Sequence, residues 1–359
     1  MKIATMVRAC LTAPGPADLI YAPIDLAVEL SEGLVQKGHQ VTFYGPEGTR
    51  MEARVKTLGL EPLARNSNEY QSLIRDIPRT VHSQPGLWDQ YLAIDMFERA
   101  AAGEYDVLHF HHAEAALTLA RLYPEVPVAY TLHDPVEPWF AQMIEMFKTA
   151  KQYCISISDN QRRDAPGLNY VATVYNGINI DKYSFSAQPE DYLFFSGRIV
   201  PVKGAKEAVQ VALGSGHRLL IAGPTFADHQ GYFDEHIKPF LGEQIVYLGS
   251  LSREEVIAHY QKAKALLCPI QWQEPFGLTM VEAMSCGTPV IAFDRGSVRE
   301  VVADGTTGCV VNTPAEMIAA VAKIGDIKRQ DCRQHVESKF SIASMAKAYE
   351  TVFTKIVNQ

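Results

Sequence analysis

The chain has no apolar run near the roughly 20 residues that a membrane-spanning helix requires. Its start, Met1-Lys2-Ile3-Ala4-Thr5-Met6-Val7, carries one charge and then a short β-type run, without the long apolar core and small-residue cleavage site of a signal peptide. A cytoplasmic protein with no transmembrane segment is expected, and peripheral contact with a membrane surface stays open. Paired cysteines are lacking too. The six lie scattered at 10, 154, 268, 286, 309 and 332 with no C-x-x-C spacing, which argues against a disulfide framework and against zinc. Positive charge is in deficit, with 33 Lys and Arg against 41 Asp and Glu and a formal net charge of -8. No nucleic-acid partner is expected, because phosphate binding needs a dense basic face. Repeats of solenoid period and low-complexity tracts are also absent.

What is present is a chain of 359 residues, more than one hydrophobic core usually serves, so two domains are expected. Short β-branched runs alternate with longer amphipathic stretches, the pattern of parallel sheets covered by helices on both faces. The first series has strands at Lys2 to Val7, Gln40 to Tyr44, Asp106 to His109, Val126 to Leu132, Tyr153 to Ile157 and Tyr170 to Val174. An amphipathic helix from Ile24 to Lys37 is closed by Gly38, where a left-handed cap is expected. The second series runs through Tyr192 to Ser196, Arg218 to Ala222, Ile245 to Leu248, Ala265 to Pro269, Pro289 to Phe293 and Cys309 to Val311. The expected architecture is α/β, with two Rossmann-like, doubly wound parallel-sheet domains facing across a cleft, since open α/β sheets bind ligands at the carboxyl ends of their strands. The first domain would span 1–180 and carry the acceptor, a polar hinge 181–190, and the second domain 191–340. The last helix, Ile342 to Val357, is a candidate to pack back on the first domain.

Two segments carry chemistry. In Glu274-Pro275-Phe276-Gly277-Leu278-Thr279-Met280-Val281-Glu282, Pro275 and Gly277 mark a loop-to-helix junction. The amides of Phe276, Gly277 and Leu278 would open a helix, where free N–H groups and the helix dipole favour an anion such as a diphosphate. Glu282 would stand roughly 6 to 8 Å further along that helix, within reach of hydroxyls on the same ligand. In Gly197-Arg198-Ile199-Val200-Pro201-Val202-Lys203-Gly204, two cations follow the first strand of the second domain. Arg198 supplies a planar fork and Lys203 a mobile point charge, together able to neutralise a departing diphosphate without a metal. Acids on a solvated helix and two surface cations are the plain alternatives. In the first domain, His133 ends the strand Val128 to Leu132, and His109, His111 and His112 end another. With Asp134 they invite a metal reading, but no carboxylate sits at a recognised ligand spacing, so acceptor contacts or loop structure are preferred.

These segments resemble family 4 of the retaining glycosyltransferases, a large group of bacterial hexosyltransferases and their relatives with a GT-B fold. The likeness runs through nearly the whole chain. It includes Lys37-Gly38-His39-Gln40-Val41-Thr42, Asp106-Val107-Leu108-His109, Thr131-Leu132-His133-Asp134 and Val174-Tyr175-Asn176-Gly177-Ile178. It also includes the Arg198/Lys203 loop and Glu274 to Pro289. Ser156 to Arg163 is similar to a subgroup labelled as UDP-glucose:tetrahydrobiopterin glucosyltransferases. The resemblance implies that Glu274 contacts donor-sugar hydroxyls, Glu282 holds the nucleotide ribose, and His133 approaches the anomeric side of the sugar or its 6-hydroxyl. It further implies front-face attack with retention of the anomeric configuration, no metal and no cofactor, the nucleotide-sugar being a co-substrate. Arg198, Lys203 and the helix terminus would then act by positioning and electrostatics. Gly223, Pro224 and Thr225 after one strand, and Leu248 with its neighbours after another, are candidates for base and ribose contacts through backbone amides.

One departure stands out. Many relatives carry two adjacent glycines in the first loop, whereas here the matching stretch is Tyr21-Ala22-Pro23-Ile24-Asp25, and proline has no N–H to offer. Gly15 is the candidate for the close approach to the donor instead. The donor is expected to be UDP-linked, with UDP-glucose the default, and the hydroxyl acceptor is unnamed; loops from Arg65 to Phe97, with Tyr70, Trp88 and Tyr91, are the candidate acceptor pocket. Three rivals remain. One is a nucleotide-sugar-binding protein with weakened or lost transfer, another a sugar-nucleotide epimerase, and the third a phosphorylase, which would need a Schiff-base lysine and a longer chain.

Overall fold

The computed structural model describes residues 1–16, 18–19 and 21–359. They divide into two compact units, the first made of Met1–Gly177 with Ile342–Gln359 and the second of Ile178–Ser341. The first unit holds a seven-stranded sheet. Its strands are β1 (Lys2–Met6), β2 (Gln40–Tyr44), β3 (Arg54–Lys56), β4 (Val107–Phe110), β5 (Val128–Leu132), β6 (Gln152–Ser156) and β7 (Tyr170–Thr173), in the order β3-β2-β1-β4-β5-β6-β7. Every pairing is parallel. Strands β4, β5 and β6 are buried along their whole length, as continuous apolar runs covered on both faces must be. Strand β3 was not expected. Three residues with Arg54 and Lys56 at the ends of the run carry no alternation that would mark them, and edge pairing to β2 alone makes them a strand.

The helix Ala22–Gln36 packs β1 and β2 from one side and ends in Gly38 with φ of +85°, whose amide donates to the Val35 carbonyl. The segment 65–97, expected as loops, is largely helical at Ser67–Arg75, Ile77–Val81 and Gln84–Ala101. Its signals were legible in principle. Asn66 and Asp76 accept from the amides of Glu69 and Arg79 as N-caps, and Pro78 and Pro85 stand in first turns. The terminal helix Ile342–Val357 belongs to the first unit. Its Tyr349 hydroxyl bonds Thr131 Oγ1 at 2.8 Å, and Glu350 pairs with Lys37 at 2.8 Å and with His39 at 3.0 Å.

The second unit holds six parallel strands: β8 (Tyr192–Ser196), β9 (Arg218–Ala222), β10 (Ile245–Gly249), β11 (Ala265–Cys268), β12 (Val290–Phe293) and β13 (Gly308–Val311). Their order is β10-β9-β8-β11-β12-β13. Residues 181–190, expected as a hinge, lie inside this unit. The Ser186 amide donates to Cys286 O, and Arg333 Nη1 donates to Tyr183 O, while the chain passes between the units at 177/178 and 341/342. Each sheet changes winding direction beside its first strand, between β1 and β4 and between β8 and β11. The crevice at the carboxyl ends of such a pair is where α/β sheets bind ligands.

Candidate functional site

In the second unit, the loops leaving β8 and β11 meet at that crevice. The β8 loop turns through Pro201–Lys203 into the helix Ala205–Ser215, and the β11 loop enters the helix Leu278–Ser285 at Gly277, φ +85°. The two loops are joined where the Gln271 amide donates to Val202 O at 2.8 Å. At the junction Lys203 Nζ donates to Glu274 Oε2 at 2.6 Å, and Trp272 Nε1 donates to the same oxygen at 2.9 Å. The Lys203 ammonium also lies 4.9 Å from the Trp272 ring centroid, a cation–π contact. Lys203 and Glu274, anticipated as separate ligand contacts, are thus partners of one another. Trp272 was not anticipated, because its spacing to Glu274 carries no motif.

Beside this pair a small cavity of about 50 Å3 is lined by Ser196, Gly197, Lys203, Glu274, Gly277 and Thr279 among others. Glu282, on the helix behind it, accepts from the Tyr183 hydroxyl at 3.0 Å and from the Tyr260 hydroxyl at 3.4 Å. Burial, with the Glu282 charge beside it, pushes Tyr260 well above the ordinary phenol range, so it stays a donor. Phe276 is buried edge-to-face against Phe340 at 5.7 Å, which leaves only its backbone to face a ligand. Leu278 is the first residue of the helix. Arg198 is exposed in the loop after β8 and is not among the residues that line this cavity.

Two glycines hold these loops together. Gly296, φ +61°, lies so close to Glu274 that a Cβ would come within 2.2 Å of the Glu274 carbonyl oxygen, and the Ser297 amide donates to that oxygen at 2.9 Å. Gly223, φ +148°, would place a Cβ 1.8 Å from Gly197 O. Its amide donates to Gly249 O, its carbonyl accepts from the Tyr247 hydroxyl, and the Pro224 carbonyl accepts from Ile199 N. The Gly223 amide is thus spent on seating the loops and Pro224 has none, so within Gly223-Pro224-Thr225 the Thr225 amide is the remaining candidate for a base edge. Leu248 lies half-buried in β10 beside them.

In the first unit, the corresponding crevice holds histidines. His109 Nε2 pairs with Thr131 Oγ1 at 2.8 Å and its Nδ1 lies 3.4 Å from Thr5 Oγ1; Thr131 in turn meets Tyr349. His111 Nδ1 lies 2.9 Å from His133 Nε2, the two rings stacked 13° from parallel. Burial lowers His109 to about 3 and His133 to about 4, and pushes His111 well below the ordinary imidazole range, so all three are neutral at pH 7. His112 pairs instead with Glu114 at 3.1 Å, near the buried Asp89. Among the described residues no group of three or more His, Cys, Asp or Glu is placed to hold a metal ion. No helix among them is long and apolar enough to cross a membrane. Gly15 lies in the loop after β1 without a positive φ. A Cβ there would make only ordinary contact with Ile24, at 3.8 Å, so nothing local demands glycine. Ala22 and Pro23 form the first turn of the helix Ala22–Gln36, so the stretch matched to the relatives' paired glycines is helical.

With this geometry in hand, the likeness to known proteins can be placed. The model of "Glycosyltransferase Family 4" matches residues 26–182, and that of "Glycosyl transferases group 1" matches 179–339. The chain is 26% identical to a glycogen synthase of Mycobacterium tuberculosis over 290 residues, 69% of this chain and 68% of that protein. The fold is shared with the sucrose-phosphate synthase of Thermosynechococcus elongatus, with a TM-score of 0.77 at 15% identity and all of both chains covered. It is shared also with Anabaena HepE solved in complex with UDP-glucose, with a TM-score of 0.69 at 15% identity over 99% of this chain and 100% of that one. Two family models that run end to end from residue 26 to 339, laid over two parallel sheets each wound about its first strand, lead to one assignment: the chain belongs to the family 4 glycosyltransferases of GT-B fold.

Proposed function

We propose that this glycosyltransferase moves a hexose from a UDP-sugar to a hydroxyl acceptor with retention of configuration and without a metal ion. The observation that carries the reading is the β8–β11 crevice of the second unit. One cation and two oriented carboxylates there flank the first turns of the helix Leu278–Ser285, with exposed Arg198 in the adjoining loop. The diphosphate of a nucleotide-sugar is an anion with polyol groups on both sides, and this set matches it: cations and helix N–H groups for phosphate, carboxylates for hydroxyls. That one structural neighbour was solved with UDP-glucose supports the choice of base.

In the proposed reaction the bond between the anomeric carbon and the diphosphate oxygen breaks as the acceptor oxygen bonds that carbon from the same face. The acceptor proton passes to the leaving diphosphate. Lys203 and Arg198 neutralise the charge that grows on the leaving group, and each contact of this kind is worth roughly 2 to 4 kcal/mol in the transition state. Glu274 must release or share Lys203 as the diphosphate arrives. Trp272, which donates to the carboxylate oxygen that Lys203 uses, keeps it in place during the exchange and leaves Oε1 toward a sugar hydroxyl.

Calorimetric titration with UDP, GDP and ADP, with and without EDTA, tests the reading. UDP should bind tightest and its affinity should survive EDTA. Substitution Glu282→Ala should lower UDP affinity by about 1.5 to 3 kcal/mol, the usual loss for a hydrogen bond to a charged group. Binding of no nucleotide would sink the proposal, and a product of inverted anomeric configuration would sink the retaining mechanism.

A further inference from the structure

The paired histidines of the first unit carry an inference about proton placement. The distance of 2.9 Å between His111 Nδ1 and His133 Nε2 requires one proton between them, so one ring donates and the other accepts. The other nitrogen of His111 decides which. Its Nε2 is buried and has no hydrogen-bond partner among the described residues. If His111 carried its proton on Nε2, a buried N–H would be orphaned and its Nδ1 would be the acceptor. If the proton sits on Nδ1, only a lone pair is left without a partner. Orphaned buried N–H groups are the rarer defect in folded proteins, and every such group forfeits its solvation.

We infer that His111 is a positioning residue: its Nδ1–H donates to His133 Nε2, which holds His133 as the tautomer protonated on Nδ1. His133 Nδ1 makes no hydrogen bond to the described residues, so the nitrogen left for a ligand is an N–H. His133 then meets its ligand as a neutral donor, suited to a sugar hydroxyl or phosphate oxygen. Its one lone pair is already engaged, so it is not a base that removes the acceptor proton. The surroundings maintain this state. Among the described residues no hydrogen bond from a carboxylate to either ring is seen, and the near-parallel stacking fixes both ring planes. The His109 ring, 4.3 Å from that of His111, closes the far side and is itself tied to Thr131 and Thr5. Sequence alone does not mark His111, since two of its neighbours in the strand-end cluster are also histidines.

The tautomer is read directly from long-range proton–nitrogen NMR spectra of the full chain labelled with 15N-histidine at pH 7, with His133 assigned by loss of its signals in His133→Gln. A protonated Nδ1 and a bare Nε2 on His133 are expected; a protonated Nε2 overturns the inference. His111→Asn, whose amide can donate from about the place of Nδ1, should keep the tautomer. His111→Leu should lose it, with kcat reduced on the order of tenfold by the misaligned ring and donor KM changed by less than about twofold. A leucine variant that keeps both tautomer and rate removes His111 from this role. If that variant fails to fold, the wild-type and asparagine spectra still decide. Only the kinetic part rests on the transferase reading, so a chain without transfer activity that shows the stated tautomer would fail the proposed function while sustaining this inference.

Discussion

The two units are built on one plan and charged in opposite styles. Each winds a parallel sheet about its first strand and leaves a crevice at the carboxyl edge. At β8 and β11 that edge carries formal charge, every carboxylate matched to donors: Glu274 to Lys203 and Trp272, Glu282 to two tyrosines. At β1 and β4 it carries histidines held neutral by burial, hydrogen-bonded to threonines and to one another. Arg8, just after β1, with Asp89 and Glu114 supplies the formal charge on that side, so a sheet edge supplies a place and the loops decide which groups carry charge there. Their fastening differs accordingly. The loops at Glu274 and Gly197 interlock through backbone contacts too tight for any Cβ, whereas the tight glycine after β2, Gly45, would meet only the Thr49 side chain, at 2.8 Å.

Acid should separate the two most strongly. His109, His111, His112 and His133 all have folded-state values below the ordinary 6.5, about 3 for His109 and about 4 for His133. Their contribution to stability is present above pH 6.5 and is lost as pH falls below it, because the unfolded chain takes up protons that the folded one refuses. Asp89, raised to about 7 by burial against the lowering pull of Arg8, acts in the other sense and offsets one proton. Glu114, also raised by burial, offsets a second, and the two net protons left amount to a slope of up to about 3 kcal/mol per pH unit. Hydrogen exchange, corrected for the intrinsic rate, should show β4 and β5 losing protection between pH 6 and 4 before β8 and β11. Simultaneous loss would break the comparison.

The next effect belongs to the charged edge. Replacing Lys203 by Met should lower the transfer rate by about 100- to 1,000-fold, the scale of losing one transition-state donor. Loss of transfer by less than about threefold would make Lys203 a structural partner of Glu274 and no more. Trp272→Phe keeps a ring under Lys203 and removes only the Nε1 donor. About 1 kcal/mol is expected, seen as a several-fold fall in kcat/KM for the sugar-nucleotide with UDP affinity unchanged. An equal loss of UDP affinity would place Trp272 at the nucleotide rather than at the sugar.

Much of this was readable in the chain. Among the described residues twelve of the thirteen strands fall on the short β-branched runs, and the terminal helix spans Ile342–Val357 as its amphipathic pattern indicates, because burial on both faces of a parallel sheet imposes composition directly. The helices between 67 and 101 were missed although Asn66, Asp76 and the two prolines announce them, since the aromatic and polar mix there masks the apolar period. For the site, Lys203, Glu274 and Glu282 are legible as residue types at a strand end and a helix start.

By itself, then, the sequence determined the α/β class, the two parallel sheets, the loops that bear chemistry and the family. Each follows from local periodicity or from residues close together in the chain. Only the tertiary structure decided who partners whom. It set Trp272 and Lys203 on one oxygen of Glu274, Tyr183 and Tyr260 on Glu282, His111 behind His133, and Gly223 as a fastener of the loops. Most of these pairs join residues 20 to 100 positions apart. Hydrogen-bond geometry, which selects partners within a few tenths of an ångström, is set by how the loops pack on the finished sheets.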